Sequence, residues 1–229
     1  MSITRRSLLK ASSAVIGIDA YIVEGEVDIS RGLPAFATVG MPECAVRESK
    51  ERVKAAIHNS GYKFPDDRIT VNLAPANIKK DGTGFDLPIA MGILTATGIV
   101  PEIEVEKFLM IGELSLDGRI KPVTGSLPMA IEAKRLGYSS ILVPYDNRRE
   151  ASVVDGISVV GVKTLAEAVD YVRGEKDIVP ELFDKSQILK KGKEPESDFS
   201  EVAGQQHVKR ALEIAAAGGH NLISLRHPT

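Results

Sequence analysis

Cysteine is nearly absent: Cys44 is the only one in 229 residues. That excludes an internal disulfide and a cysteine-rich zinc site, and it fits a reduced, cytosolic setting. As a packing residue, Cys44 is expected to be a small buried or half-buried side chain rather than a reactive thiol. The four histidines are scattered without metal-ligand spacing, so no metal site is expected. Neither sign of charge dominates. With 29 basic and 31 acidic side chains the formal charge is −2, which excludes an overall electrostatic grip on nucleic acid and leaves only a local basic patch. Long apolar runs are missing too: the longest mostly apolar stretch, 87–100, is too short to span a bilayer and contains Pro88, Gly92 and Gly98. Apolar content of 43% with 26% charged residues is ordinary for a globular chain, so gross disorder is excluded.

The first residues need a separate reading. Thr4-Arg5-Arg6-Ser7-Leu8-Leu9-Lys10 resembles a twin-arginine export signal. Residues 11–19 do not continue as an apolar stretch with a cleavage site; they reach Asp19 and read as the lead-in to a strand. The expected location is the cytoplasm, without membrane contact.

Along the chain, 18–29 alternates imperfectly and suggests one or two strands, and Ala35 to Val39 a further short one. A helix is expected from Cys44 to Asn59, with Val46, Val53, Ala56 and Ile57 on one face and the pairs Arg47/Glu51 and Glu48/Arg52 on the other. Ile69, Val71 and Leu73 alternate as a strand. The polar loop 77–84 leads into an apolar helix from Leu87 to Thr97. Strands over 108–114 and 119–123 flank Asp117-Gly118, the dipeptide of a tight hairpin. Ser126 is expected to cap a helix ending at Gly137, strands follow at 140–143 and 157–162, and Thr164 with Glu167 has capping-box spacing for a helix running to Gly174.

Strands alternate with helices but come partly as hairpins, which implies a two-layer α/β domain. Its expected extent is 1–174. A charged, Pro/Gly-punctuated linker follows over 175–197, including Lys190, Lys191 and Lys193. A second unit begins at 198 and runs to 229, helical over 199–217 and strand-like over 221–225. It is too short to fold as an independent domain.

Several segments in order carry a family resemblance: Gly32-Leu33-Pro34, Val39-Gly40-Met41-Pro42-Glu43, 69–76 (ITVNLAPA), 85–90 (FDLPIA), Ile111-Gly112-Glu113-Leu114, Gly204-Gln205 and 216–222 (AAGGHNL). Together they cover about 18–222, and the chain resembles the front part of the magnesium-chelatase-like AAA+ family, of the ComM and YifB type. The resemblance implies a domain of the ribosomal-protein-S5-domain-2-like fold, which the proteolytic domain of Lon shares, joined through the linker to an AAA+ ATPase module. It also implies ATP and magnesium as cofactors of the full-length family, a hexamer for full-length relatives, and a DNA-remodelling role connected with competence. No cofactor is expected in this chain alone.

Two constellations that such relatives carry are not in the sequence. Lon-type peptidases need a serine and a lysine that accepts its proton. After Lys80-Asp81-Gly82 this chain has Thr83-Gly84-Phe85-Asp86, and Leu127 aligns with the lysine. No catalytic residue is therefore assigned; Thr83 has no base identifiable from sequence. The Walker A pattern G-x-x-x-x-G-K-[ST] does not occur, and 223–229 departs from the family pattern, as expected of a chain cut before the phosphate loop. Val202, Ala203, Gly204 and Gln205 resemble the family's stretch near the adenine pocket, with a helix start packing on a neighbour as the alternative.

Lys79, Lys80 and Arg119 are the candidate nucleic-acid contacts, lying in polar loops, with solvated surface charge as the plainer reading. Three functions stay open on the residues alone. They are a non-catalytic front domain of a DNA-acting ATPase, a Lon-like ATP-dependent serine peptidase domain, and an accessory subunit handling a metal-loaded porphyrin.

Overall fold

The structure is a computed structural model that describes residues 20–80, 82–183 and 202–221, and 5–16 and 19 as main chain. The expected strand over 221–225 (beyond Asn221), the tail, and linker residues 184–197 lie outside the described residues.

The architecture is mixed α/β. Strands β1 (Arg5–Ile16), β2 (Asp19–Ser30), β3 (Ala35–Val39) and β4 (Arg68–Ala74) form a sheet in the order β1-β2-β4-β3. β1 and β2 pair antiparallel from Ile16↔Asp19 out to Arg5↔Ile29. The arginine-containing start of the chain is thus a sheet strand, and the expected one or two strands over 18–29 are one, with its partner upstream. In β2, Val23, Val27 and Ile29 are buried while Glu24 and Glu26 face solvent, the period-two pattern of a half-buried strand. β4 does the same with Ile69, Val71 and Leu73.

Helix α1 (Cys44–Asn59) crosses from β3 to its parallel neighbour β4 and buries Val46, Ser49, Val53, Ala56 and Ile57. The expected pairs on its outer face do not form. Arg47 donates to the Pro42 carbonyl, Arg52 turns to Asp86, and Glu48 accepts from Cys44 at 3.6 Å. Cys44 itself is exposed, because it opens the helix away from the buried stripe.

Helix α2 (Asp86–Ala96) is buried at every residue and packs against α1, β1 and β2. A helix apolar all round belongs in the centre of a domain. Leu87, Ile89, Met91, Ile93 and Leu94 each contribute up to about 1.5–3 kcal/mol by leaving water. A short helix α3 (Glu102–Val105), missed in the sequence, leads to β5 (Phe108–Met110).

The strand expected over 108–114 is two elements. β5 joins a parallel sheet, whereas β6 (Glu113–Leu114) pairs with β7 (Ile120–Lys121) as a hairpin. The break falls at Gly112, whose N–H bonds the Gly84 carbonyl and whose carbonyl accepts from Leu87 N–H. The hairpin turn is as expected, with Gly118 at φ 83 and its N–H on Ser115 O.

Helix α4 (Ser126–Arg135) follows, entered through left-handed Gly125 rather than capped by Ser126, whose buried hydroxyl has no partner among the described residues. The parallel sheet is completed by β8 (Ser140–Pro144) and β9 (Ser158–Val162), in the order β5-β8-β9. Between them lie a 3-10 turn (Tyr145–Asn147) and helix α5 (Arg148–Ala151), neither legible in the sequence. Helix α6 (Leu165–Val172) starts with half of the expected capping box. Thr164 Oγ1 accepts from Glu167 N–H, but the Glu167 carboxylate reaches Lys163 N–H.

The front unit extends to Phe183, past the expected boundary at Gly174. Glu181 N–H bonds the Val159 carbonyl at 2.8 Å, its carboxylate pairs with Arg148 at 3.0 Å, and Ile178 packs on the core. The second unit, 184–229, contains helix α7 (Gln206–Gly218), begun by left-handed Gln205 and ended by left-handed Gly219.

Candidate functional site

The segment after β4 is fastened to the end of β3. At Gly40 φ is 98°, and a Cβ there would lie 1.9 Å from the Leu73 carbonyl oxygen, so only glycine lets the two strand ends touch. Met41 follows with φ 55°. β4 ends in a cis Ala74-Pro75 bond. The chain then returns to bridge Pro42 and Lys80, with Glu43 N–H on the Lys80 carbonyl at 3.1 Å. The Lys80 side chain lies shallow but shielded from water. Its Nζ donates to Gly40 O at 2.8 Å and to Pro75 O. Burial pushes its pKa down. This lysine is a clamp across two loop segments.

Further along the chain, Asp86 opens α2 with its side chain 1% exposed. Arg52 of α1 meets it with two hydrogen bonds, Nε to Oδ2 at 2.6 Å and Nη2 to Oδ1 at 3.0 Å, and Leu114 N–H adds a third at 3.1 Å. Burial pushes the Asp86 carboxyl up, against the downward pull of Arg52 and the Leu114 amide. Pairing with Asp86 raises the Arg52 guanidinium. The unit ties α1, α2 and the β6 hairpin together.

Between these groups, Thr83 Oγ1 donates to Glu113. No local pattern points to this partner, which lies on a different element. Hydroxyl nucleophiles are activated by imidazoles and amines; here the partner is a carboxylate, and the Lys80 ammonium is held by main-chain carbonyls. Leu127 is aliphatic, with its N–H on Glu150.

The three candidate nucleic-acid contacts are dispersed. Lys79 is exposed but 3.5 Å from Glu43, just before α1. Lys80 is buried, which corrects its placement in a solvated loop: a backbone that turns back on itself needed a donor inside. Arg119 is exposed and bonded to Asp117 at 2.6 Å. Its neighbour Gly118 lies against Ser60 and the Ala56 carbonyl at the far end of α1, whereas Lys79 sits beside Glu43 before the first turn, so the length of the helix separates the two. They form no single patch. Val202, Ala203, Gly204 and Gln205 are all exposed just before α7, where the Val202 carbonyl accepts from Lys209 at 2.6 Å.

Among the described residues no group of three His, Cys, Asp or Glu could hold a metal, and no helix is long and apolar enough to cross a membrane. A groove of about 660 Å³ opens beside Glu24, Pro75, Lys107 and Tyr138. Burial, then the Glu24 charge, pushes the Tyr138 hydroxyl up to about 12. The groove does not include Thr83 or Glu113.

Comparison with known proteins agrees with these features. The family model described as "Subunit ChlI of Mg-chelatase" matches residues 25–147, and one described as "Magnesium chelatase, subunit ChlI" matches 198–228. The chain is 40% identical to competence protein ComM of Haemophilus influenzae over 95% of its own length and 43% of that protein's. It is 38% identical to YifB of Escherichia coli over 94% of its length and 42% of that protein's. A more distant similarity, 28% identity, joins 69% of the chain to 29% of Lon protease 2 of Bacillus subtilis. The chain thus spans about two fifths of the length of ComM and YifB. The front-unit match covers the clamp from Gly40 to Glu113 entire, and on that ground the chain belongs to the magnesium-chelatase-like family of the ComM and YifB proteins.

Proposed function

We propose that this chain is the non-catalytic front domain of a magnesium-chelatase-like AAA+ ATPase, with the ribosomal-protein-S5-domain-2-like fold, whose whole protein remodels DNA. ATP and magnesium serve the motor of that whole protein, which assembles as a hexamer; Val202 to Gln205 belong to the approach to its adenine pocket. The similarity to Lon protease 2 supports the fold assignment. The name of ComM, a competence protein, supports the DNA connection.

The observation that carries the non-catalytic reading is the Thr83 hydroxyl bonded to the Glu113 carboxylate; the resemblance to Lon would put the peptidase lysine at Leu127, which is aliphatic. A Ser/Lys dyad works by an amine taking the hydroxyl proton. Among the described residues no amine is bonded to Thr83, and the Lys80 ammonium is held by the Gly40 and Pro75 carbonyls.

The test is labelling with a fluorophosphonate probe together with casein hydrolysis. Neither is expected, and Thr83→Ala changes neither readout. Labelling at Thr83 that disappears in Thr83→Ala overturns the reading in favour of the Lon-like peptidase, the alternative that the Thr83–Glu113 pair would then serve. Titration with a non-hydrolysable ATP analogue and magnesium is expected to show no tight binding, because the sequence has no Walker A pattern.

A further inference from the structure

Tyr145 and Lys163 directly follow β8 and β9, at the carboxyl ends of the parallel sheet, where open α/β sheets take their ligands. Arg148 lies across this rim with its guanidinium 3.5 Å from the centre of the Tyr145 ring, and Lys163 stands over the same ring at 4.3 Å. Arg148 Nη1 also donates to the Tyr145 carbonyl at 2.6 Å. Gly161 makes room for the arginine stem: a Cβ there would lie 2.9 Å from Arg148 Cδ and 3.0 Å from its Cβ. The guanidinium, its side chain only 16% exposed, is thus placed by the fold whatever anion it meets. The anion it meets is the Glu181 carboxylate, which accepts from Arg148 Nε at 3.0 Å and lies 3.7 Å from Arg149. Other carboxylates on these elements are engaged elsewhere, Glu150 by the Leu127 amide and Asn147, and Glu167 by Lys176 and the Lys163 amide. Asp146 is exposed and makes no ion pair with these cations among the described residues.

Glu181 belongs to a lightly fastened strap, 177–183. Among the described residues its only main-chain hydrogen bond runs from Glu181 N–H to the Val159 carbonyl. Pro180 has no N–H to offer, Ile178 packs on the core, and Val179 and Leu182 are 86% and 88% exposed. Through this strap the chain leaves the front unit. We propose that Arg148 and Arg149 form a phosphate seat for the backbone of a nucleic acid, and that the Glu181 carboxylate closes the seat as an internal substitute. The proposal rests on the DNA reading above. A carboxylate and a phosphate offer a guanidinium the same kind of charge-assisted acceptor, so one displaces the other without a change in bonding. Lifting the strap leaves the seat standing, because Tyr145 and Gly161, not Glu181, place Arg148. Arg148, Arg149 and Lys163 are spread along two strand ends instead of closing round one point, which suits successive phosphates of a backbone better than a single free anion.

Glu181→Gln in the full chain removes the charge and keeps both the side-chain length and the main-chain bond to Val159. Fluorescence anisotropy with labelled DNA at about 50 mM salt is expected to show binding about tenfold tighter than the parent's, with a log–log salt slope steeper by about 1 to 2 for the phosphates gained. Glu181→Ala follows the same course. Arg149→Met cancels the gain in the Glu181→Gln background; Arg149 is 78% exposed, so thermal melts stay near those of Glu181→Gln alone. Lys190, Lys191 and Lys193 are unchanged in every variant and cannot account for the difference. In the parent, saturating DNA is expected to speed hydrogen exchange at the Glu181 amide as the strap lifts. Glu181→Gln that binds DNA no better than a parent that binds weakly, or a gain that survives Arg149→Met, overturns the seat and leaves the DNA reading standing. Inorganic pyrophosphate that displaces DNA from Glu181→Gln at equal phosphate concentration overturns a nucleic acid as the occupant. Parent and variant that both ignore DNA at about 50 mM salt overturn the DNA reading and this partner with it.

Discussion

Arg52→Met isolates the contribution of the Arg52–Asp86 pair. Methionine keeps most of the aliphatic stem but removes both hydrogen bonds, leaving a carboxyl that is 1% exposed with only the Leu114 amide. Removing one partner of a buried pair costs about 3–5 kcal/mol. A second argument bounds the figure. The stranded carboxylate can take a proton, and at pH 7 protonating an ordinary aspartate of pKa about 3.9 costs about 4.2 kcal/mol; at pH 5 it costs only about 1.5 kcal/mol. The charge penalty cannot exceed these ceilings. In the variant burial acts without the opposing guanidinium, so the folded pKa of Asp86 lies further above its unfolded value. Stability from such a group is fully present below the unfolded pKa and is lost as pH rises through the folded one. Urea unfolding of parent and variant is the assay. The deficit is expected to approach about 4 kcal/mol at pH 7 and to fall to about 1.5 kcal/mol at pH 5. A deficit that is equal at both pH values, or below about 1 kcal/mol at pH 7, refutes the claim that Asp86 is shut away from water.

Further outcomes follow from the same geometry. Gly40→Ala, which meets Leu73 O at 1.9 Å, is expected to cost more than about 3 kcal/mol or to prevent folding, while Gly61→Ala, with nothing within 4 Å, costs about 1–2 kcal/mol for its left-handed backbone; thermal melts compare the two, and equal costs contradict the close approach. A chain ending at Phe183 should unfold as the full chain's front unit does, whereas one ending at Gly174 loses the Glu181 contacts and about 1–3 kcal/mol in a denaturant titration; equal stabilities would return the boundary to Gly174. DNA binding by the chain is expected to be weak and indifferent to sequence, with a log–log salt slope of about −2 to −4 in fluorescence anisotropy. Lys79→Ala should weaken it slightly on every sequence, and Lys80→Met should lower stability without altering the slope; salt-resistant, sequence-selective binding contradicts contact by charge alone.

The sequence determined what depends on near neighbours. The buried stripe of α1, the alternation of β4, the turn at Gly118 and the apolar helix α2 were all readable, because each pattern repeats within a few residues and states which side must leave water. The family resemblance was readable for a related reason: short segments such as 85–90 keep their order whatever the chain folds around. Tertiary structure alone decided the partners. Arg52 had Glu48 within reach on its own helix, yet it bonds Asp86, 34 residues away, because a guanidinium brought beside a desolvated carboxylate gains more than one paired in water. Lys80 reads as an exposed loop charge until the β3 and β4 ends meet and leave two carbonyls facing inward. The stretch 108–114 divides because Gly112 belongs to the backbone of Gly84 and Leu87, which no local pattern records. Periodicity fixes which face of an element is dry; which distant group then stands opposite is fixed only when the dry faces close on one another.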